Sequence, residues 1–518
     1  MTGDEGLDAF GKWARRHAFP IEPDAPGEYD ADLAAVGEMI GDARIVGMGE
    51  SQHHVGEFNR FRARLFRHLV DRHGFTTFVF ECGTIEARCA YDYVLGRHND
   101  RDAACLSIDG TFGMWREIQS LLDWMRDHNK RVPDHRKVRF YGMDGSQGWS
   151  CTSNTVTSVH RYLQSVDPSA AEEVERSLLH LARTVVLDNV AEAGLTQVRA
   201  LVLGLDRLVA RLQVEAIHYC ERSGAEDYDW ALRAAVIARQ IGSLLNSVLA
   251  DPARALRTWW NLRDASMAEL VLWILRREGP RARLMIGAHN IHLQKQFAHE
   301  TEFAQSTMGQ HLAMVLPERS MVMMSGTSDE SIKPNDFALT GSFQAGLAKA
   351  GLPAFVLDLR SIGSPGASSW LGRERPDRSN MIYQPLEVSM AWDAVFFVRH
   401  VSLDRLSLPS PVARSAIELP PEELEEFSGT YDIDGIIGEM VVLTVWIENG
   451  SLVSDGADSD GELFPMHRSR LFAMSRDAFF WKEWPMELVF VRNDDASVES
   501  IGIRHPKGRI VYRGRRRS

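Results

Sequence analysis

The sequence predicts an α/β fold, a mostly parallel sheet flanked by helices with a helical insertion, followed by a small all-β domain. Three observations carry this prediction. Short aliphatic runs alternate with helical patterns over the first 150 residues and return between 282 and 359. The stretch 168–278 holds only long amphipathic patterns, and beyond 423 the texture turns to period-two alternation.

The first run, ARIVGMG (43–49), leads into GESQHHVGEF; TTFVFEC (76–82) and KVRFYGMDG (137–145) follow. Between the first two, Phe58, Phe61, Leu65, Leu69 and Val70 recur at helical spacing, with Arg60, Arg64 and Arg67 on another side. The order is therefore β-α-β. ARLMIGAHN (282–290), SMVMMSGTS (320–328) and AFVLDL (354–359) read as further buried strands, which implies a largely parallel sheet covered on both faces. In the insertion, Trp230, Ile237, Ile241, Leu244 and Val248 form one apolar stripe, and a cap over the sheet is expected. SLPSPVARSAIELPPEE (407–423) reads as a linker. MVVLTVWIE (440–448) and SLVSD (451–455), joined by Asn449 and Gly450, carry a type I′ hairpin signal. AFFWKEW, MELVFVRN and VESIGIRH continue the meander. The expected domains are thus an α/β unit over 1–406, the linker, and an accessory β sandwich or barrel over 424–518.

The totals bound the function. A chain of 518 residues with 44% hydrophobic residues exceeds one ordinary core and is normal for a globular protein. A formal net charge of -13 argues against general nucleic-acid affinity, and the terminal RGRRRS reads as a solvated or disordered tail. Five cysteines, Cys82, Cys89, Cys105, Cys151 and Cys220, are odd in number and lack CxxC spacing, so a reducing compartment is expected. The N-terminus has acidic residues where a signal peptide needs basic ones, and no apolar run reaches bilayer length. A cytoplasmic location without membrane contact is the expectation.

In open α/β sheets ligands collect at the carboxyl ends of the strands. There the first run is followed by Glu50, His53, His54 and Glu57, the second ends in Glu81 with Glu86 beyond it, the third ends in Asp144, and AHNIH supplies His289 and His292. Two chemistries can use this set. A histidine with a pKa near neutrality can take a proton from water while carboxylates orient it. Alternatively, His53, His289, His292 and a glutamate can hold a divalent metal that acidifies water. HxxH does not decide between them. A serine nucleophile is not expected, because GxSxG is absent; Cys82 reads as a buried apolar thiol, and GTFGMW and GSQG match no phosphate-binding loop.

GMGESQHHVGEFNRFRARLFRHLVDRHGFTTFVFECGTIEA (47–87), GMDG (142–145), NLRDASMAELVLWIL (261–275), GAHNIHLQK (287–295) and MGQHL (308–312) together resemble the erythromycin esterase family, over roughly residues 8 to 402. The resemblance implies an enzyme that hydrolyses a carboxylic ester, in known members a macrolide lactone, without a serine nucleophile. It places the essential histidine at His53, the paired glutamates at Glu50 and Glu81, the helix arginine at Arg62 and the late histidines at His289 and His292. On this reading His53 is the general base, Glu50 and Glu81 fix its tautomer and the water, and Arg62 with the late pair offsets oxyanion charge. Arg263 and Asp264 match a recurrent motif and read as an ion pair beneath the site, with cleft contact as the rival. His54, Asp144, Trp115 and Arg263 are assigned to substrate contact, with Met114, Trp259 and Trp260 as lining or core. No cofactor is assigned, and a divalent metal stays open. The implied partner is a small-molecule ester or lactone, with oligomeric state undetermined. The alternatives are a biosynthetic transacylase or lyase using the same residues, and a non-enzymatic metal- or small-molecule-binding protein.

Overall fold

The computed structural model describes residues 3–517 except 24, 27–29, 54, 109–111, 297–305, 317–319, 329–338, 340, 361, 379–382, 403–413, 435–439, 458–467, 483–485, 494 and 505–509. The chain divides into two compact units. One comprises Met1–Asp109, Ser120–Asp329 and Phe337–Leu403; the other comprises Gly110–Gln119, Glu330–Asp336 and Asp404–Ser518.

The first unit is built on an eight-stranded sheet of order β1-β7-β10-β6-β2-β5-β3-β4. Its strands are β1 (Phe19–Pro20), β2 (Ile45–Glu50), β3 (Thr77–Gly83), β4 (Arg139–Asp144), β5 (Leu284–His289), β6 (Ser320–Thr327), β7 (Ala354–Asp358) and β10 (Ala394–Val398). A separate hairpin pairs β8 (Arg375–Asp377) with β9 (Gln384–Leu386). The neighbours from β10 to β4 all run parallel, whereas β7 is antiparallel to β10 and β1 antiparallel to β7. Strands β2, β3 and β5 are buried along their whole length, which is why they read as unbroken apolar runs rather than alternating ones.

Two glycines in these strands permit approaches that a side chain would block. A Cβ at Gly49 would lie 2.0 Å from Asn290 Oδ1, and Asn290 there ties into β6 through Ser325. A Cβ at Gly287 would meet the Arg62 side chain at 2.8 Å, so this glycine clears a path for Arg62 across β5.

The insertion is helical from Pro168 to Glu278, apart from short connections, and its longest members are Val190–Val214, Ala225–Ala250 and Ala255–Glu278. All five stripe residues are buried, and Trp230 stacks on Tyr141 of β4 with ring centroids 5.8 Å apart. The final helix flanks the sheet: Tyr141 donates to Glu278 at 2.6 Å near one end, and Arg263 reaches Asp144 toward the other.

In the second unit eight antiparallel strands close into a barrel: β11 (Gly429–Asp434), β12 (Met440–Glu448), β13 (Ser451–Ala457), β14 (Ser469–Ala473), β15 (Ala478–Trp481), β16 (Glu487–Arg492), β17 (Val498–Arg504) and β18 (Ile510–Arg516). Tyr431, Leu443, Trp481, Phe490 and Ile501 are buried, in keeping with an eight-stranded barrel whose interior side chains can fill. Asn449 and Gly450 both take positive φ, 50° and 74°, as the hairpin signal requires. The basic C-terminal segment is not a tail through its length. Its residues up to Arg516 belong to β18, which closes the barrel by pairing Tyr431 with Arg516 and Ile433 with Gly514. Part of the expected linker lies outside the described residues, and Pro421–Leu424 is a helical turn. No described helix is long and apolar enough to cross a membrane.

Candidate active site

Strands β2, β5, β3 and β4 are consecutive neighbours in the sheet, so their carboxyl ends bring Glu50, His289, Glu81 and Asp144 side by side; Glu50 and His289 are direct register partners. Four polar strand exits that are far apart in sequence thus form one row.

His53, in the turn after β2, presents Nδ1 to Glu50 Oε1 at 2.7 Å. Arg62, one helical face further on in Gly56–His73, donates to the other oxygen, Glu50 Oε2, at 2.8 Å and to Asn59 at 3.3 Å. Glu50 and Arg62 are buried, while the His53 side chain is 37% exposed and is the member of this chain open to a substrate. Burial acts to raise the Glu50 pKa, but the charge of Arg62 and the hydrogen bond from His53 hold it down at about 2. An ionised Glu50 makes Nδ1 the protonated nitrogen of His53. Burial acts to lower the pKa of His53, and the Glu50 hydrogen bond and charge, with that of Glu81, carry it above its ordinary 6.5.

His289 is the opposite case. Its Nδ1 accepts the Ile291 N–H at 3.3 Å, which leaves the proton on Nε2, and its ring stands edge-on to His53 with centroids 5.1 Å apart. Burial, then the neighbouring His53 charge, push its pKa down to about 3, so it is neutral. Two adjacent imidazoles are therefore set to different states, one basic and one an uncharged donor.

A buried network lies behind this pair. Glu81 accepts from Arg263 at 3.1 Å, stands 3.2 Å from His292 Nε2, and takes the His289 backbone N–H at 2.7 Å. His292 Nδ1 donates to Asp264 at 2.7 Å. Its burial is outweighed by the charges of Asp264 and Glu81, which raise its pKa to about 9 and keep it cationic. Asp144 accepts from Arg263 at 2.6 Å, from the Gly145 N–H at 2.8 Å, and from the Trp149 indole. Glu81 is held ionised, since the charges of His292 and Arg263 overcome its burial. By formal charge the carboxylates Glu50, Glu81, Asp144 and Asp264 face the cations Arg62, Arg263 and His292, and the remaining negative charge favours a proton on His53.

Several expected roles change on this geometry. His292 has both ring nitrogens on buried carboxylates, and Arg62 gives its terminal nitrogens to Glu50 and Asn59, so neither faces His53 as the His289 ring does. Both oxygens of Glu81 are likewise occupied, by Arg263, His292 and the His289 N–H, and it is Glu50 that holds His53 Nδ1. Arg263 and Asp264 do not pair with each other: Arg263 serves Asp144 and Glu81, and Asp264 serves His292 and the Met308 N–H. Arg263 and Asp144 are buried and bonded to one another, which leaves them beneath the site rather than in contact with substrate. Trp115 and Met114 are buried in the other compact unit, with Trp115 against Phe112, and offer a ligand no surface. Trp259 is buried, whereas the half-buried Trp260 lies 5.8 Å from the His292 ring. His54 falls outside the described residues. Glu57 turns away to Arg60 and Ser402, and Glu86 to Asn154.

Trp149 is the member that sequence reasoning left out of the site, whereas Asp264 was singled out with a different partner. Trp149 is a buried residue at φ 67°, and its indole lies over Gly145, where a Cβ would sit 2.5 Å from the ring. Strained backbone of this kind persists where surrounding contacts enforce it. The signal was the tight GSQGW turn after β4. Among the described residues no three His, Cys, Asp or Glu side chains are grouped to hold a metal ion.

Comparison with known proteins places the chain in a family and a fold. The chain is 24% identical over 297 residues to erythromycin esterase type II of Escherichia coli, covering 55% of this chain and 69% of that protein. It is 21% identical to the putative hydrolase YbfO of Bacillus subtilis strain 168 over 418 residues, 75% of this chain and 90% of that one. Among solved structures, a Bacillus cereus protein matches with a TM-score of 0.65 at 22% identity, over 77% of this chain and 99% of its own. A mutant erythromycin esterase, EreC, in its open conformation matches with a TM-score of 0.56 at 21% identity, over 73% and 95%. The erythromycin esterase family model spans residues 70–401, from the end of the helix that carries Arg62 through β10, and on that match the chain belongs to the erythromycin esterase family.

Proposed function

We propose that this protein hydrolyses a carboxylic ester or lactone of a bulky, macrolide-like natural product, using a water activated by His53 and no enzyme nucleophile. The observation that carries this is the chain Arg62–Glu50–His53, buried at one end and open at the other. With Nδ1 committed to Glu50, Nε2 of His53 is the basic nitrogen. It takes a proton from water as the water oxygen bonds to the carbonyl carbon. The carbonyl oxygen gains the electron pair and is stabilised by the neutral Nε2–H of His289, which has no partner among the described residues. Collapse breaks the acyl C–O bond, and the His53 imidazolium returns its proton to the departing alkoxide. The products are an acid and an alcohol, or one hydroxy acid from a lactone. Each of these steps uses only this chain's side chains and solvent.

The pH dependence follows from the sign of the His53 shift. Its basic form grows as pH rises through a pKa above 6.5, so kcat/KM is expected to climb on the acid side with its midpoint above that value. In Glu50→Gln the hydrogen bond and charge that raise this pKa weaken while burial and Arg62 remain, so the midpoint shifts to lower pH and the plateau falls. A pH–rate series on both proteins checks this; an unmoved midpoint contradicts the assignment of His53.

His289→Ala removes the proposed oxyanion donor and is expected to lower kcat about 10²-fold or more with little change in KM. Steady-state kinetics on a turned-over substrate measure it. The substrate itself is found by incubating the protein with macrolides and other lactones and following the gain of one water by mass spectrometry. Elimination or acyl transfer would give products without that gain.

A further inference from the structure

We propose that this protein also binds a small, multiply charged oxyanion in a cavity at the amino end of the sheet, opposite the hydrolytic residues. The cavity has a volume of about 1110 Å³ and opens beside Thr76, Arg139 and Ala282, where β3, β4 and β5 begin. Glu81, Asp144 and His289 stand at the other ends of these strands, roughly 20 Å away by strand length. The two sites are joined by one rigid element: the helix Ala255–Glu278 carries Arg263 and Asp264 at the first and Arg276 at the second.

The walls hold six cationic side chains against four carboxylates, in a chain whose net charge is -13. Every carboxylate is committed. Asp134 pairs with Lys137 at 2.7 Å, Glu278 with Arg139 at 3.2 Å, Glu226 with Arg97 at 2.8 Å and with Arg277 at 3.1 Å, and Asp229 with Arg277. Arg276 and Arg281 are left over. Both line the cavity, both are exposed, and neither has an ion pair or hydrogen bond among the described residues. Cations in a last helical turn complement the helix dipole, which accounts for Arg276 and Arg277. That explanation does not extend to Arg281, which lies beyond the helix end at Glu278.

Two guanidinium forks without a protein partner among the described residues, in one cavity, suit a ligand with several anionic oxygens, because each fork can hold two of them at once. Phosphate and carboxylate groups share this chemistry, and the cavity is somewhat larger than the usual range for small-molecule sites.

Calorimetric titration of the full chain with inorganic pyrophosphate, and separately with citrate, tests the proposal. The expected result is saturable single-site binding that weakens with added salt. Binding of both assigns the site to polyanions generally, and binding of pyrophosphate alone assigns it to phosphate. Arg276→Ala and Arg281→Ala, substitutions at exposed positions, should each weaken binding about tenfold. Arg161→Ala, exposed and outside the cavity, should leave it unchanged, as should His53→Ala, so the outcome is independent of the hydrolytic reading. Absence of saturable binding for both anions at millimolar concentration, or undiminished binding in the double variant, overturns it.

Discussion

His53→Ala is expected to reduce kcat by roughly 10²–10⁴-fold while the protein stays folded and KM changes little. The size follows from what is removed. His53 is the partly exposed end of a chain whose other members are buried, so its loss deletes the base without opening the core. Glu50 keeps its partner Arg62 in this variant and no buried charge is stranded. Retained circular dichroism and melting temperature alongside lost turnover would show a chemical role. Near wild-type turnover by a folded variant would mean that another group activates the water.

Arg263→Leu is expected to have the largest effect on stability, a loss of about 3–5 kcal/mol, because it leaves Glu81 and Asp144 as buried carboxylates without their shared cation. Both acids are at most 7% exposed, so water cannot replace the guanidinium. Chemical denaturation of the variant measures this, and a cost below about 1 kcal/mol would show that the network tolerates the gap. Activity should fall as well, since Glu81 holds the His289 backbone N–H and hence the orientation of that imidazole.

The strand exits were legible in the sequence because fully buried parallel strands announce themselves as apolar runs; Glu50, Asp144 and His289 each stand at the end of one, and Glu81 stands two residues before the end of another. What the row of strand ends could not reveal is which partner each group takes. Arg263 and Asp264 are sequence neighbours, yet successive helical residues diverge by about 100°, so one points to Asp144 and the other to His292. Trp149 reaches Asp144 only through a turn at positive φ, which no periodicity reports. β10 was overlooked as a five-residue apolar run, AVFFV, although its length is typical of a buried strand. The C-terminal arginines concealed β18 in the same way. Arg513 and Arg515 are exposed while Gly514 between them is buried, an alternation that marks a strand once charge is set aside.

The central claim is that water adds directly to an acyl carbon under base catalysis by His53. A single turnover in water labelled with heavy oxygen, on any ester or lactone the protein converts, tests it most directly. The account predicts one labelled oxygen in the product carboxylate from the first turnover and none in the enzyme. A product without solvent oxygen, or label appearing in an enzyme carboxylate such as Glu50, would contradict it.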